Sequence, residues 1–231
     1  MTRISVGIIH HSGLENTKAC LDAVVSNKAS LLENLEIYLI FNEKINAEIF
    51  RREFCDYVAD VIFIQNLMPR GFPSNHNFII RNSGVFDYYL CLNNDCFIQI
   101  GLIKKMMDLQ AELSNRSSVA AICPKFQCPR GLIQVSCGFI PSTWTYIGKY
   151  FSDLSPKCLR HFLIKIASYF SPNSAFKTYV DIKSMNTDQV VGSKRVDKIS
   201  GACVLFNSSA LESIGLFDEN FFMYCDDADW S

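Results

Sequence analysis

The stretch Asp87-Tyr88-Tyr89-Leu90-Cys91-Leu92-Asn93-Asn94-Asp95 decides the fold class, because an apolar run ends there abruptly in three polar residues. The run predicts a buried strand over 87–92, with Asp95 just beyond its carboxyl end. A helix is predicted next, because apolar residues recur at helical spacing at Leu102, Ile103, Met106, Leu109 and Leu113. This part of the chain is therefore expected to form a strand, a loop and a helix in succession.

The same alternation extends towards the N-terminus. Strands are predicted at 61–64, 36–41 and 3–9. The first helix is expected to begin at a capping box, Ser12-Gly13-Leu14-Glu15. A second helix is expected over 47–57, and a polar loop over 68–77 leads into a third that ends near Ser83.

Towards the C-terminus the pattern continues, breaks and resumes. A strand is predicted at 119–123, residues 124–198 are irregular, and a strand returns at 199–206. A second capping box, Ser209 with Glu212, begins a short helix that stops at Gly215. Strands that alternate with helices predict an α/β protein with a Rossmann-like, mostly parallel central sheet flanked by helices.

The composition limits the classes of function. The 231 residues are 49% hydrophobic and 19% charged, which is enough to bury a core. The net charge of −1 argues against nucleic acid as a partner, because a nucleic-acid binder draws its affinity from an excess of Lys and Arg. No apolar run approaches the roughly 20 residues needed to span a bilayer. The first residues read as a strand and not as a signal peptide, so we expect a cytoplasmic protein.

The ten cysteines are expected to be small buried apolar residues in a reducing compartment, because none of them forms a Cys-x-x-Cys pair. Cys123 with Cys128 is a weak alternative as half of a zinc site.

Two acidic features follow predicted strands or apolar segments. Asp95 is either an ordinary turn residue or a ligand for Mg²⁺ or Mn²⁺ bridging a diphosphate, since these cations need only one or two carboxylates when phosphates complete the shell. The run Asp226-Asp227-Ala228-Asp229 is either a solvated surface run or a set of acids held against the aromatic residues 221–224, where a general base can arise. His10 and His11 follow the first strand and lack the spacing of a metal site.

The order of these features resembles a family 2 glycosyltransferase with the GT-A fold, similar to bacterial rhamnosyltransferase-like enzymes of surface polysaccharide assembly. The resemblance runs from Arg3 to Trp230. It rests most strongly on four motifs near the C-terminus: Ser200-Gly201-Ala202, Ile214-Gly215-Leu216-Phe217-Asp218-Glu219, Phe221-Phe222-Met223-Tyr224 and Asp226-Asp227-Ala228-Asp229. Leu92-Asn93-Asn94-Asp95 matches the family's metal-binding motif, and Arg70-Gly71-Phe72 with Asn77 matches the loop and helix before it.

The resemblance implies a role for each matching residue. Asp95 would hold Mg²⁺ or Mn²⁺ on the diphosphate of the donor, and Asp227 would be the base that deprotonates the acceptor hydroxyl. The nucleotide would lie against His10, Ser12, Asn42, Gly71, Asn77 and Asn93. The donor sugar and the acceptor would lie against Gly201, Asp218, Glu219, Tyr224, Asp226, Asp229 and Trp230.

The activity implied is inverting, metal-dependent transfer of a hexose or deoxyhexose in surface polysaccharide synthesis. The donor would be UDP-, dTDP- or GDP-linked, and the acceptor a glycan or a polyprenyl-linked glycan. We expect one GT-A domain over 1–231, with the nucleotide-sugar half at 1–98 and the acceptor half at 99–231.

Four departures from the family pattern stand out. Phe41 replaces an Asp ahead of Asn42, His10-His11-Ser12 replaces Thr-Tyr-Asn, Asn94 replaces Pro, and Asp226 replaces Glu. The sequence also stops directly after the acidic run, where family members continue with helices, so it is either a fragment or a short protein.

The sequence also allows two other functions and one membrane contact. The first alternative is a non-catalytic GT-A-like protein that binds a nucleotide or a partner. The second, a nucleotidyltransferase, is disfavoured because residues 10–17 lack a basic, glycine-rich loop. The basic and apolar segment 157–170 is either a helix that packs on the domain or an interfacial helix at the inner face of the cell membrane.

Overall fold

The computed structural model describes residues 2–31, 34–114, 119–128, 133–134, 136–138, 192–193, 195–196, 198–223 and 229–230. The chain divides into two compact units. The first unit comprises Met1–Pro124 with Gly201–Trp230, and the second comprises Lys125–Ser200 with Ser231.

The first unit is built on a six-stranded sheet. Its strands are β1 (Arg3–His10), β2 (Asn34–Phe41), β3 (Val61–Gln65), β4 (Tyr88–Asn93), β5 (Ala121–Ile122) and β10 (Cys203–Asn207). Their order across the sheet is β3-β2-β1-β4-β10-β5. The strands from β3 to β4 are parallel, and β10 is antiparallel to both β4 and β5. The predicted mostly parallel α/β sheet is therefore confirmed.

The central strands are largely buried on both faces, which is why they are nearly continuous in apolar residues. On β1, Ile4, Val6 and Ile8 are at most 1% exposed. A parallel strand covered on both faces has no solvent side on which polar residues could alternate.

The described residues of this unit form five α-helices: α1 (Leu14–Ser30), α2 (Ala47–Phe54), α3 (Phe72–Asn82), α4 (Leu102–Ser114) and α5 (Ser208–Ile214). A short 3-10 turn, Cys55–Tyr57, follows α2. Among the described residues, no helix is long and apolar enough to cross a membrane.

Both predicted capping boxes are wrong. Helix α1 begins at Gly13, which has a φ of 77° and offers no side chain to the helix. Helix α5 begins one residue earlier than predicted, because the Oδ1 atom of Asn207 accepts the backbone N–H of Ser209 at 2.9 Å. An Asn at this position caps a helix as well as Ser does.

Two further element boundaries differ from the prediction. Helix α3 begins at Phe72, inside the stretch predicted as loop, with Pro73 in its first turn where a proline is tolerated. The strand predicted over 199–206 is divided, because Gly201 and Ala202 form a turn before β10.

The second unit contains two small antiparallel pairs in its described part. Strand β6 (Phe126–Gln127) pairs with β7 (Ile133–Gln134), and β8 (Cys137–Gly138) pairs with β9 (Lys198–Ile199). The helix candidate at 157–170 lies outside the described residues.

A buried chain of polar groups fixes α3 against β4. The Nδ1 atom of His76 lies 2.6 Å from the Tyr89 hydroxyl, and its Nε2 atom lies 3.3 Å from the Cys91 sulfur. The Cys91 thiol in turn donates to the carbonyl of Gly201 at 3.2 Å. Burial lowers the pKa of His76 to about 3, so the ring is neutral. Gly7 is required beside this chain, because a Cβ there would collide with the Tyr89 hydroxyl.

Candidate functional site

The carboxyl ends of β1, β2 and β4 meet at one edge of the sheet. His10 is paired with Phe41, and Ile9 is paired with Asn93. The chain continues from β2 with a hydrogen bond of 2.8 Å between the Asn42 N–H and the His10 carbonyl. Because β2 and β4 flank β1 on opposite sides, this edge is a switch point of the kind at which open α/β sheets bind ligands.

Asp95 lies at this edge on a tight turn. The Cys96 N–H donates to the Asn93 carbonyl at 3.1 Å, and the Asn93 N–H donates to the carbonyl of Ala202 at 2.8 Å. Asp95 is exposed, and its carboxylate makes no hydrogen bond or ion pair within the described part of the chain. An exposed carboxylate thus lies just beyond the end of β4, the strand next to β1 in the sheet.

An exposed carboxylate at this position suits a divalent cation whose other coordinating oxygens come from phosphate and water. No group of three or more His, Cys, Asp or Glu side chains in the described ranges could hold a metal ion. Asp95 would therefore supply one oxygen ligand, and phosphate and water would supply the others, which is the usual arrangement for Mg²⁺. Cys123 and Cys128 likewise belong to no such group among the described residues.

His10 is the last residue of β1, and it is buried. Its Nδ1 atom is 2.7 Å from the Thr17 hydroxyl on α1. Burial and the neighbouring His11 lower the pKa of His10, against the opposing effect of Glu43. The ring is therefore neutral near pH 7, whereas Ser12, two residues on, is exposed.

Asn42 is buried and serves the loop that follows β3. Its Oδ1 atom accepts three hydrogen bonds: from Asn66 Nδ2 at 2.9 Å, from the Arg70 N–H at 2.8 Å and from Asn75 Nδ2 at 3.0 Å. Its Nδ2 atom donates to the Arg70 carbonyl at 2.9 Å. The Asn42 side chain, which was predicted to lie by the nucleotide, thus holds the loop 66–71 in position.

Gly71 allows the start of α3 to touch the segment before the acidic run. A Cβ at Gly71 would lie 2.7 Å from the Phe222 carbonyl oxygen and 2.9 Å from its Cα atom. The next residue, Phe72, donates its N–H to the same carbonyl at 2.9 Å. A glycine is needed here for close approach of two backbones, since its own φ of −62° suits any residue.

Further along α3, Asn77 and Glu219 join the same two segments. Asn77 donates to the Phe217 carbonyl at 2.8 Å and to Glu219 at 3.0 Å, and it accepts the Phe217 N–H at 3.1 Å. Ser74 and Arg81 also donate to the Glu219 carboxylate, at 2.8 and 2.7 Å. The bonds from Asn77, Ser74 and Arg81 lower the pKa of Glu219.

The acidic run itself lies largely outside the described residues, since Tyr224, Asp226 and Asp227 are not among them. Both of its flanks are anchored. Phe222 is held by Phe72, and Trp230 donates its indole N–H to the Gly215 carbonyl at 2.9 Å.

The other residues predicted for the donor sugar and acceptor are placed as follows. Asp218 is exposed and accepts two hydrogen bonds from Asn220, at 2.9 and 2.8 Å. Asp229 is exposed, and Gly201 lies in the turn that contacts β4. The Trp230 ring packs edge-on against Phe206, with 4.5 Å between ring centres. Asp218 and Glu219 thus differ in role, because only Glu219 joins α3.

Sequence reasoning missed two groups of residues. The first is Thr17, Asn66 and Asn75, whose polar side chains are buried. For Thr17 and Asn75 the available signal was a polar residue on the buried face of a helix, whereas Asn66 lies in the loop after β3. The second lines a cavity of about 500 Å³ beyond β2 and β3, formed by Phe41, Ile45, Ala47, Phe50, Arg51, Phe63, Ile64 and Gln65.

The comparisons with known proteins concern the fold. No protein-family model matches the sequence, and no curated protein matches it significantly. Among solved structures, the chain is similar to the mannosyltransferase PcManGT from Pyrobaculum calidifontis in complex with GDP-Man and Mn²⁺, with a TM-score of 0.53 and 11% identity over 99% of this chain and 50% of that one. It is also similar to GalNAc-T7 with UDP, GalNAc and Mn²⁺, with a TM-score of 0.56 and 12% identity over 96% of this chain and 38% of that one.

These similarities establish a GT-A fold for the described sheet. The chain spans half or less of the length of these two proteins.

Proposed function

We propose that the protein is a metal-dependent, inverting glycosyltransferase that uses a nucleoside-diphosphate sugar. The observation that carries this proposal is the exposed and unpartnered Asp95 at the switch point of a GT-A sheet. A free carboxylate at the end of a buried strand has no structural task in the described contacts, so a ligand is the simplest reason for it.

The donor would occupy the edge formed by the loops after β1, β2 and β4. Asp95 would hold Mg²⁺ or Mn²⁺, which when bound offsets the charge that develops on the leaving diphosphate. His10, Ser12, Asn93 and the loop held by Asn42 would lie against the nucleotide. UDP, dTDP and GDP are the candidate nucleotides, and the two similar structures carry a GDP-linked sugar and UDP.

The acceptor would enter on the side of residues 201–230. Asp227 would take the proton of the acceptor hydroxyl, whose oxygen then attacks the anomeric carbon as the bond to the diphosphate breaks. A single displacement of this kind inverts the configuration at that carbon and needs one base on the face opposite the leaving group. The hydrogen bonds of Phe222 and Trp230, which flank the run that contains Asp227, support this proposal.

Glu219 and Gly71 serve this arrangement indirectly. The hydrogen bonds of Glu219 and the close approach at Gly71 join α3 to residues 217–222, which precede the acidic run. Asn77 takes part in the same contact, so it supports the acceptor side as well as the nucleotide side.

The finer assignment rests on the sequence motifs alone. We propose membership of family 2, hexosyl or deoxyhexosyl transfer similar to that of rhamnosyltransferases, and a glycan or polyprenyl-linked acceptor in bacterial surface polysaccharide synthesis. The reaction would take place on the cytoplasmic side of the membrane, within one domain whose nucleotide half is 1–98 and whose acceptor half is 99–231.

Release of nucleoside diphosphate from UDP-, dTDP- and GDP-sugars in the presence of Mn²⁺ tests the proposal. We expect release from one donor class, its loss in Asp227→Asn, and its retention in Asp108→Asn, a matched change at an exposed aspartate of α4. Nucleotide binding without release from any donor would instead favour a non-catalytic GT-A protein. Full activity in Asp227→Asn would contradict the assignment of the base.

A further inference from the structure

The side chain of Asn94 joins the metal-binding turn to the loop after β1. Its Nδ2 atom donates to the Ser12 carbonyl at 2.8 Å and to the Thr17 hydroxyl at 2.8 Å. A carbonyl can only accept a hydrogen bond, so the contact with Ser12 fixes which end of the amide faces α1. Asn94 therefore connects residues from two different strand ends through one rigid group.

Thr17 is a firm partner for Asn94. It is 0% exposed, and its hydroxyl lies 2.7 Å from His10 Nδ1 and 3.2 Å from the Gly13 carbonyl. The hydroxyl accepts from Asn94 and keeps its own hydrogen for His10 or Gly13. The bond from Asn94 thus ends on a group that β1 and α1 already hold in place.

The residues just before Asp95 are anchored, whereas Asp95 is free. Asn93 is held at its N–H by Ala202, and Asn94 is held by its side chain. The Cys96 N–H closes the turn and holds the backbone around Asp95. The Asp95 side chain is exposed and has no hydrogen-bond or ion-pair partner among the described residues. This is the arrangement that presents a ligand oxygen with little freedom to lose on binding.

We infer that Asn94 and Thr17 form a latch that positions the Asp95 carboxylate for the divalent cation of a bound nucleoside diphosphate. The latch rests on the proposed function and specifies which side chains set the strength of the metal effect. Asn94 and Thr17 are positioning residues, because neither touches the reacting atoms.

The test is a calorimetric titration of folded protein with UDP, GDP and dTDP, each with and without Mn²⁺. The quantity measured is the ratio of the dissociation constants without and with metal. We expect Asn94→Ala and Thr17→Val to reduce this ratio roughly tenfold, the order of effect seen when the support of a metal ligand is removed. Thr17→Ser retains the hydroxyl and should restore the wild-type ratio.

Asn82→Ala is the matched control, because Asn82 is exposed on α3 and, within the described part of the chain, its side chain bonds to the Phe78 carbonyl of its own helix. Asn94→Ala and Thr17→Val remove the same hydrogen bond, one at its donor and the other at its acceptor. If one of these two variants fails to fold, the other still provides the test. The double variant should lose no more than Asn94→Ala alone.

The same titration distinguishes failure of the latch from failure of the proposed function. An unchanged ratio in Asn94→Ala, in a protein whose wild type binds a nucleotide more tightly with Mn²⁺, overturns the latch alone. A wild type that binds no nucleotide, or binds without any effect of Mn²⁺, overturns the proposed function and the latch with it.

Discussion

Replacement of Gly71 by alanine tests how the two halves of the candidate site are held together. The new Cβ would lie 2.7 Å from the Phe222 carbonyl oxygen, whereas an ordinary carbon–oxygen contact is about 3.3 Å. The obstructing atoms are backbone atoms, which cannot rotate away. The segment 221–223 must therefore move by about 0.6 Å, the difference between these two separations.

That movement also removes a hydrogen bond. The Phe72 N–H now lies 2.9 Å from the Phe222 oxygen, and a shift of about 0.6 Å brings the pair to the limit of a hydrogen bond. Phe72 is in the first turn of α3, where an N–H has no acceptor within the helix. We estimate a loss of about 2 kcal/mol in the free energy of unfolding, from overpacking and from the lost bond together.

Urea denaturation measures the loss, and Gly84→Ala is the matched control because a Cβ at Gly84 meets nothing within 4 Å. We expect the control to be neutral or slightly stabilising. Release of nucleoside diphosphate should also fall in Gly71→Ala, because residues 221–223 lead into the run that contains Asp227. Equal stability and equal activity in the two variants would refute the close approach of these segments.

Two further predictions concern pH. Burial lowers the pKa of His76 to about 3, while an unfolded histidine titrates near 6.5, so the unfolded chain binds the proton first. The free energy of unfolding should therefore fall by about 1.4 kcal/mol for each unit by which the pH is lowered between these two values. Urea midpoints should depend less on pH in this range in His76→Gln, and as in the wild type in His11→Gln, which alters an exposed histidine. A slope in His76→Gln equal to that of the wild type would contradict the burial of His76. Glu219 has a pKa below its usual 4.5, so its contribution is full above that pH and is lost as pH falls through the lower value. Below pH 4.5 the melting temperature should fall less with acid in Glu219→Gln than in Glu15→Gln. An equal fall in the two variants would show that the hydrogen bonds from α3 do not stabilise the ionised carboxylate.

The parallel part of the sheet could be predicted because its physics is local to each strand. A strand buried on both faces is expected to be nearly continuous in apolar residues, and β1, β2 and β4 largely meet that condition. The position of Asp95 beyond β4 followed from the same rule, since polar residues mark the point where the strand leaves the core.

The start of α3 could not be predicted from its own residues. Asn75, His76 and Asn77 look like a polar loop, yet all three are at most 1% exposed. Their polar groups are satisfied by Asn42, Tyr89 and Phe217, which are distant in sequence. Burial of these residues depends on tertiary partners that a local pattern does not contain.

The turn before β10 was missed for a related reason. Residues 199–206 are apolar enough for one strand, but Gly201 and Ala202 turn so that their carbonyls accept hydrogen bonds from Cys91 and Asn93. The same limit applies to Asn42. The family resemblance implied that Asn42 lies by the nucleotide, and its local sequence did not show that its side chain bonds to Asn66, Arg70 and Asn75.

The central claim is that Asp95 makes nucleotide binding depend on a divalent cation, and a titration of wild type and Asp95→Asn tests it most directly. Calorimetry with UDP, dTDP and GDP, with and without Mn²⁺, should show one nucleotide whose affinity rises with Mn²⁺ in the wild type. Asp95→Asn should lose that rise and keep the metal-free affinity, while Asp108→Asn should behave as the wild type. An undiminished effect of Mn²⁺ in Asp95→Asn, or no effect in the wild type, would contradict the account.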